Sequence, residues 1–166
     1  YGLPHDFILF LGNQSLRKNP ERALEAYVRY AAGTPDPIPL VTPGLPEKFV
    51  SEKLRSLDYS YSREQFITPG YIDDADLPAL YSLSRIFLFP SLSEGFGMPI
   101  IEAMACGVPV LASNVSSIPE VVGEAAQGDQ MVILGCFVQL VRHICTKPVE
   151  PQPPFADQLA VDSANF

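Results

Sequence analysis

Five short apolar runs, separated by longer amphipathic stretches, set the pattern of the first part of the chain. The runs span residues 7–12, 38–44, 65–70, 85–90 and 109–113. After Arg85, the fourth run, "RIFLFP", is continuously apolar, which is typical of a strand that is covered on both faces of a sheet. Each run predicts a short, buried β-strand.

Helical patterns and helix-end signals occupy the stretches between these runs. Asn19 predicts an N-cap with Pro20 at the first helical position, and residues 47–57 carry a second amphipathic pattern. Asp76 predicts the cap of a third helix, and residues 98–106 predict a fourth that ends before a glycine. This order predicts an α/β fold, a Rossmann-like parallel sheet with helices on both faces.

Sheets of this kind bind ligands at the carboxyl ends of their strands, so the turns after the strands are candidate sites. After the fourth strand, Gly95 and Gly97 come directly before a helix, whose free N–H groups and dipole favour a phosphate. After the first strand, Arg17 and Lys18 could meet the same anion. For these two residues, solvated basic side chains are an equally good interpretation.

Two carboxylates flank the glycine turn. Glu102 lies early in the following helix, where it could complement the helix dipole, a contribution of about 0.3–1 kcal/mol, or accept the hydroxyls of a ribose. The spacing alone favours the dipole. Glu94 lies in the turn itself, where a lone carboxylate is usually solvated. The glycine pattern of dinucleotide-binding folds fails, because Ile100 occupies the place of its third small residue.

Composition narrows the choice of partners. A chain of 166 residues suits one domain, and its net charge of −8 argues against nucleic acid or an anionic membrane surface as the main partner.

Three cysteines without metal-like spacing predict a reducing compartment, and we expect the cytoplasm. The sequence contains no Ser-His-Asp or Cys-His motif and no metal-ligand cluster. The chain does not begin with Met, so we expect a piece of a longer protein.

One long stretch, "FLFPSLSEGFGMPIIEAMACGVPVLASNVSSIPEVVGEAA", resembles the donor-binding half of the family 4 (group 1) retaining glycosyltransferases, which have the two-domain GT-B fold. "FLGNQSLRKNPERALEAY" and "GYIDDADLPALYSLS" precede it in the order found in that family. The match extends from about Phe7 to Ala126. The resemblance therefore implies a nucleotide-sugar-binding domain over residues 1–126. Residues 127–166 diverge from the family, and we expect them to belong to the same domain or to be poorly ordered.

The resemblance also implies roles for single residues. Glu94 is the implied catalytic residue beside the transferred sugar, Glu102 would bind the ribose hydroxyls, and Lys18 would support the diphosphate. The full implied donor-binding set is Lys18, Arg17, Gly12, Asn13, Gly70, Tyr71, Ile72, Gly95, Phe96, Gly97, Met98, Pro99 and Glu102. Of these, Gly70, Tyr71 and Ile72 would lie near the base. Asn13 stands where many members carry Arg, and Arg17 is a hypothetical replacement for that cation.

The implied function is donor binding in a retaining hexosyltransferase of polysaccharide or glycolipid synthesis, with no cofactor and no metal ion. The "RKN" triplet favours GDP-mannose as the nucleotide sugar, followed by a UDP-sugar. The expected partner is an N-terminal acceptor domain, through which the enzyme would associate peripherally with a membrane; the isolated chain would be inactive. One alternative is a stand-alone nucleotide-sugar-binding module. The other is a dinucleotide-dependent oxidoreductase domain, which the failed glycine pattern disfavours.

Overall fold

The computed structural model of the protein describes residues 1–60 and 64–122. Its centre is a parallel sheet with the strand order β3-β2-β1-β4-β5. The strands are β1 Ile8–Phe10, β2 Leu40–Val41, β3 Phe66–Ile67, β4 Ile86–Phe89 and β5 Val110–Ala112. Each predicted run contains one of them, so the five predicted strands are confirmed. The strands are shorter than the runs, because the remaining residues of each run form the adjoining turns.

The helices follow the predicted order along the chain. They are α1 Pro20–Ala32, α2 Glu47–Ser56, α3 Leu77–Leu83, α4 Met98–Ala105 and α5 Ile118–Val122. Single 3-10 turns, Leu16–Lys18 and Asp74–Asp76, precede α1 and α3. The four predicted helices are confirmed within about two residues at their ends, and α5 is an additional helix that the sequence pattern does not predict.

Alternate residues of each strand face opposite layers of helices. On one face, Ile8 and Phe10 share a core with Leu24 and Tyr27 of α1 and Leu54 of α2. On the other face, the intervening strand residues pack against α3, α4 and α5, and the buried side chains there include Leu9, Phe87, Phe89, Leu80, Ile100, Ala103 and Ile118. Both faces of the sheet are covered, as predicted, and this explains why β4, Ile86–Phe89, contains no polar residue.

For two predicted helix caps, the position is right but the expected side-chain hydrogen bond to the helix is absent. Asn19 and Asp76 do stand at the N-cap positions of α1 and α3, but neither side chain bonds to the first turn of its helix. The Asn19 amide instead donates to the Pro90 carbonyl oxygen at 3.0 Å. The Asp76 carboxylate accepts a hydrogen bond from the Tyr1 hydroxyl at 2.8 Å. Partners that are distant in sequence replaced the local ones that the pattern had suggested.

The divergent segment expected over residues 127–166 lies outside the described residues, as does the expected domain boundary at residue 126. In the part of the chain that the structure describes, no helix has both the length and the apolar character needed to cross a bilayer.

Candidate functional site

The strand order creates one switch point at the carboxyl edge of the sheet. From β1 the chain continues to β2 and β3 on one side, and it then returns to β4 on the other side of β1. The loops that leave β1 and β4 therefore diverge, and ligands bind in the crevice between such loops. We name them the first-strand loop, residues 11–19, and the fourth-strand loop, residues 90–97. Although the two loops leave the sheet in different directions, they are in contact at one point, where the Leu92 N–H donates a hydrogen bond to the Arg17 carbonyl oxygen at 2.8 Å.

Glu94 joins the same two loops through its side chain. Arg17 Nη1 lies 2.6 Å from Glu94 Oε2, and Lys18 Nζ lies 2.8 Å from Glu94 Oε1. The Glu94 side chain is only 6% exposed, whereas Arg17 is 50% and Lys18 17% exposed. The expectation of a solvated Glu94 is therefore wrong. The two cations outnumber the carboxylate, so this cluster keeps one excess positive charge in a chain whose net charge is negative.

These contacts keep the Glu94 carboxyl ionised. Burial alone would raise its pKa, but the hydrogen bond from Lys18 and the charges of Lys18 and Arg17 outweigh burial, so the pKa of Glu94 lies below its ordinary value. Lys18 is itself held in place, because its ammonium lies over the Phe89 ring, 4.6 Å from the ring centroid. Arg17 is half-exposed, so its side chain is less confined than that of Lys18 and can turn toward a ligand at a smaller cost.

The start of α4 offers unpaired backbone donors beside this cluster. Gly97 precedes the helix in the left-handed region, with φ 86°, and no side chain caps the helix. Among the described residues, the N–H groups of Gly97 and Met98 donate to no acceptor, and Pro99 has no N–H. A Cβ added at Gly95 would have no atom of the described residues within 4 Å. The turn thus leaves open space in front of a helix N-terminus, and Phe96 and Met98 are exposed around it.

Glu102 lies in the second turn of α4, beyond the first turn to which dipole effects are largely confined. The interpretation that Glu102 mainly complements the dipole is therefore weakened. Its Oε2 accepts a hydrogen bond from the Tyr81 hydroxyl at 2.9 Å. Sequence reasoning missed Tyr81, which lies among apolar residues in "LPALYSL" and matched a core position. The feature that could have identified Tyr81 is its hydroxyl, because the hydroxyl of a buried tyrosine needs a hydrogen-bond partner.

Glycines let the first three strand exits pack closely together. A Cβ added at Gly12 would lie 2.7 Å from Cζ of Phe10, and one added at Gly44 would lie 2.8 Å from the Gly12 carbonyl oxygen. The Gly44 N–H donates to the Gly70 carbonyl oxygen at 3.2 Å. Asn13 Oδ1 accepts a hydrogen bond from the Ser15 N–H at 3.0 Å. The Asn13 side chain therefore shapes its own loop.

The residues expected near the base lie after β3, on the far side of β2 from the Glu94 cluster. Gly70 has a positive φ of 83°, and Tyr71 is largely exposed. Ile72 is buried in the apolar core, so only its backbone is available to a ligand. The structure thus brings together Arg17, Lys18 and Glu94, and it places the three residues after β3 at a separate strand exit.

The loop after β5 also supports the site, a contribution that sequence reasoning did not predict. Ser117 Oγ donates to the Glu94 carbonyl oxygen at 3.1 Å, and the Ser113 hydroxyl donates to the Ser91 carbonyl oxygen. Three loops therefore hold the backbone around Glu94. Within the described ranges, no group of three or more His, Cys, Asp or Glu side chains is arranged to hold a metal ion.

Comparison with known proteins identifies relatives of this chain. A family model described as "Glycosyl transferases group 1" matches residues 3–131. The serotype-specific mannosyltransferase WbdA of Escherichia coli is 44% identical over 128 residues, which cover 74% of this chain and 15% of that protein. The O-antigen chain mannosyltransferase B of Escherichia coli is 44% identical over 120 residues, which cover 72% of this chain and 31% of that protein. The chain therefore spans less than a third of the length of these two relatives.

A solved structure resembles the fold. The C-terminal domain of the group 1 glycosyl transferase LpcC from Francisella tularensis aligns with a TM-score of 0.66 at 21% identity, over 86% of this chain and 76% of that one. Together with the five-stranded parallel sheet, this likeness confirms the predicted fold class.

Proposed function

The chain belongs to the group 1 glycosyl transferases, and from this premise we propose that it binds the nucleotide-diphosphate sugar for retaining, metal-independent transfer of a hexose. The product would be a polysaccharide or glycolipid. GDP-mannose is the proposed donor, because two relatives with 44% identity are mannosyltransferases. A UDP-sugar is the second choice.

The observation that carries this proposal is the convergence of positive charge at the switch point. Lys18 and Arg17 meet at Glu94, and the uncapped N-terminus of α4 begins only a few residues later. A diphosphate that enters between the two loops would meet backbone N–H groups, a helix dipole and two cations. Such donors can stabilise a leaving diphosphate without a divalent ion, and this supports metal independence.

Glu94 suits an anionic role beside the sugar. Because its pKa is lowered, Glu94 is ionised at neutral pH and has no proton to give, so it does not fit a general acid. A carboxylate held by two cations is also a weak nucleophile. We assign to Glu94 the acceptance of sugar hydroxyls and the stabilisation of positive charge at the reacting carbon.

The rest of the donor would extend away from this point. Glu102, one turn into α4, would accept the ribose hydroxyls, and the exposed Tyr71 beside Gly70 would lie near the base. We further propose that transfer requires an acceptor-binding domain. The alternative function is a donor-binding module that works with a separate acceptor subunit.

Calorimetry with GDP, UDP, ADP and guanosine, with and without a chelator, tests the proposal. We expect GDP to bind most tightly, with no effect of the chelator. Lys18→Met should weaken GDP binding about 10- to 150-fold, the effect of one charge-assisted hydrogen bond, and leave guanosine binding nearly unchanged. Lys48→Met is the matched control, since Lys48 pairs only loosely with Glu52 on the exposed face of α2, at 3.9 Å.

The outcomes distinguish the parts of the proposal. If no nucleoside diphosphate binds, donor binding is wrong. If UDP binds more tightly than GDP, the site stands and the donor assignment is wrong. Equal losses for GDP and guanosine in Lys18→Met would mean that Lys18 holds the loop instead of the phosphate.

A further inference from the structure

Tyr81 is a buried tyrosine whose hydroxyl reaches the candidate site from a different helix. It lies on α3 and is only 1% exposed, and its hydroxyl donates to Glu102 Oε2 at 2.9 Å. Its ring packs edge-on against Phe87 of β4, with the ring centroids 5.3 Å apart and an interplanar angle of 82°. The Tyr81 hydroxyl is therefore held by α3 and β4, two elements other than the helix that carries Glu102.

The Tyr81 hydroxyl is a constant donor. Burial, followed by the hydrogen bond to Glu102 and the charge of that carboxylate, raises the pKa of Tyr81 well above its ordinary value. The hydroxyl keeps its proton through the neutral range. It can therefore act as the hydrogen-bond donor to the Glu102 carboxylate throughout that range.

Glu102 gains a fixed orientation from this contact. A glutamate side chain has much rotamer freedom to lose when a ligand orders it, and the bond from Tyr81 removes part of that freedom in advance. Oε2 is occupied, whereas Oε1 accepts no hydrogen bond from any described residue. Glu102 lies four residues beyond Met98, about 6 Å along the helix axis. A nucleotide whose phosphates meet the Met98 N–H can place its ribose there.

We propose that Tyr81 is a positioning residue, which holds the Glu102 carboxylate so that its remaining oxygen faces the ribose diol. The inference rests on the proposed function, in which Glu102 receives that diol. In a purely structural role, by contrast, the Tyr81 ring would fill the core, and the hydrogen bond of its hydroxyl would have no effect on ligand binding.

The experiment compares a nucleoside diphosphate with its 2′,3′-dideoxy analogue, using whichever of GDP and UDP the chain binds more tightly. In the wild-type chain the diol should improve affinity. Tyr81→Phe keeps the ring and removes the hydroxyl, and we expect it to weaken binding of the diol ligand about 3- to 10-fold, the effect of one net hydrogen bond. Binding of the dideoxy analogue should hardly change.

Two comparisons separate positioning from packing. Tyr27→Phe is the matched control, because Tyr27 is equally buried and its hydroxyl donates to the Ile38 carbonyl oxygen at 3.0 Å on the other face of the sheet. It should leave the ratio of the two affinities unchanged. In a Glu102→Ala background, Tyr81→Phe should have no further effect on that ratio, because the group that Tyr81 positions is absent.

A third variant applies even if Tyr81→Phe does not fold. Glu102→Asp keeps the carboxylate but shortens it, so that it cannot reach both the Tyr81 hydroxyl and the diol, and we expect it to lose the preference for the diol. Full retention of that preference in Glu102→Asp would overturn the inference, as would an unchanged or tighter diol affinity in Tyr81→Phe.

The wild-type measurements show which claim has failed. If neither ligand binds, the proposed function and the inference both fall. If both bind equally well, donor binding survives, and the role of Glu102, together with that of Tyr81, is wrong. If the wild type prefers the diol and Tyr81→Phe prefers it equally, only the inference is wrong.

Discussion

Replacing Glu94 by Gln removes the negative charge that joins the first-strand and fourth-strand loops. The amide keeps the size of the side chain and one oxygen acceptor, so the change tests the charge more than the packing. Two contacts are weakened, the Arg17 pair at 2.6 Å and the Lys18 pair at 2.8 Å. Both cations would then face each other without the anion between them.

The expected loss of stability follows from the exposure of each partner. The Lys18 pair is largely shielded, with side chains 17% and 6% exposed, and a hydrogen bond between charged groups in such a place contributes about 1.5–3 kcal/mol. Arg17 is half-exposed, so its pair contributes only about 0.2–1 kcal/mol. The glutamine oxygen recovers part of the total. We expect Glu94→Gln to lower the free energy of unfolding by about 2–3 kcal/mol.

Glu25→Gln is the matched control. Glu25 also has two arginine partners, Arg22 at 3.3 Å and Arg29 at 2.6 Å, but these pairs lie on the exposed face of α1. Its loss should be about 0.3–1 kcal/mol. Urea unfolding followed by circular dichroism measures both variants against the wild-type chain.

The pH dependence has a definite sign. Because the pKa of Glu94 is lower in the folded than in the unfolded chain, its stabilisation is fully present above the unfolded pKa, about 4.3, and is lost as pH falls through the folded pKa. The difference between wild type and Glu94→Gln should be constant from about pH 6 to 8 and shrink below about pH 4. A difference no larger than that of Glu25→Gln, or one that grows on acidification, would refute the ion-pair cluster around Glu94.

Three further predictions concern the backbone, the ligand and the reaction. Gly44→Ala should lower the free energy of unfolding by about 2–3 kcal/mol, because Gly44 has a φ of +82° and the new Cβ would lie 2.8 Å from the Gly12 carbonyl oxygen. Gly95→Ala should lower it by less than about 0.5 kcal/mol in the same urea titration, because its new Cβ would have no described atom within 4 Å. Similar losses in the two variants would contradict the close packing of Gly44 against Gly12. GDP affinity measured by calorimetry should fall as salt rises from low to physiological concentration, whereas guanosine affinity should not. The same salt dependence for GDP and guanosine would contradict an ionic contact to the diphosphate. Radiolabelled GDP-mannose should give trace hydrolysis at most with the isolated chain, since holding both substrates together is worth about 7–11 kcal/mol; robust transfer to an added glycan acceptor would contradict the need for a second domain.

The sheet could be predicted because its signals are local. The apolar run "IFLF" before a glycine turn, and Pro20 or Pro99 at a helix start, report their structure within a few residues. The position of the site followed from the parallel order, since the carboxyl ends of all strands meet at one edge. The relative placement of the strands did not follow, because several orders satisfy the same pattern.

The environment of Glu94 could not be predicted, because its partners are far away in sequence. Arg17 and Lys18 lie 77 and 76 residues before it, and only the pairing of β1 with β4 brings the two loops together. Asn19 is a similar case, since its side chain bonds to Pro90 of the same distant loop instead of to its own helix. Burial and charge at this site are products of the tertiary fold.

Mapping of amide chemical shifts on titration of the chain with GDP tests the central claim most directly, that the switch point between β1 and β4 is a nucleotide-diphosphate site. The account predicts the largest shifts at Lys18, Gly95, Gly97 and Met98, with smaller ones at Glu102, and no change at the amino edge of the sheet. Guanosine should leave Lys18 and Gly97 unaffected. Absence of shifts in the two loops, or shifts confined to another face of the sheet, would contradict the account.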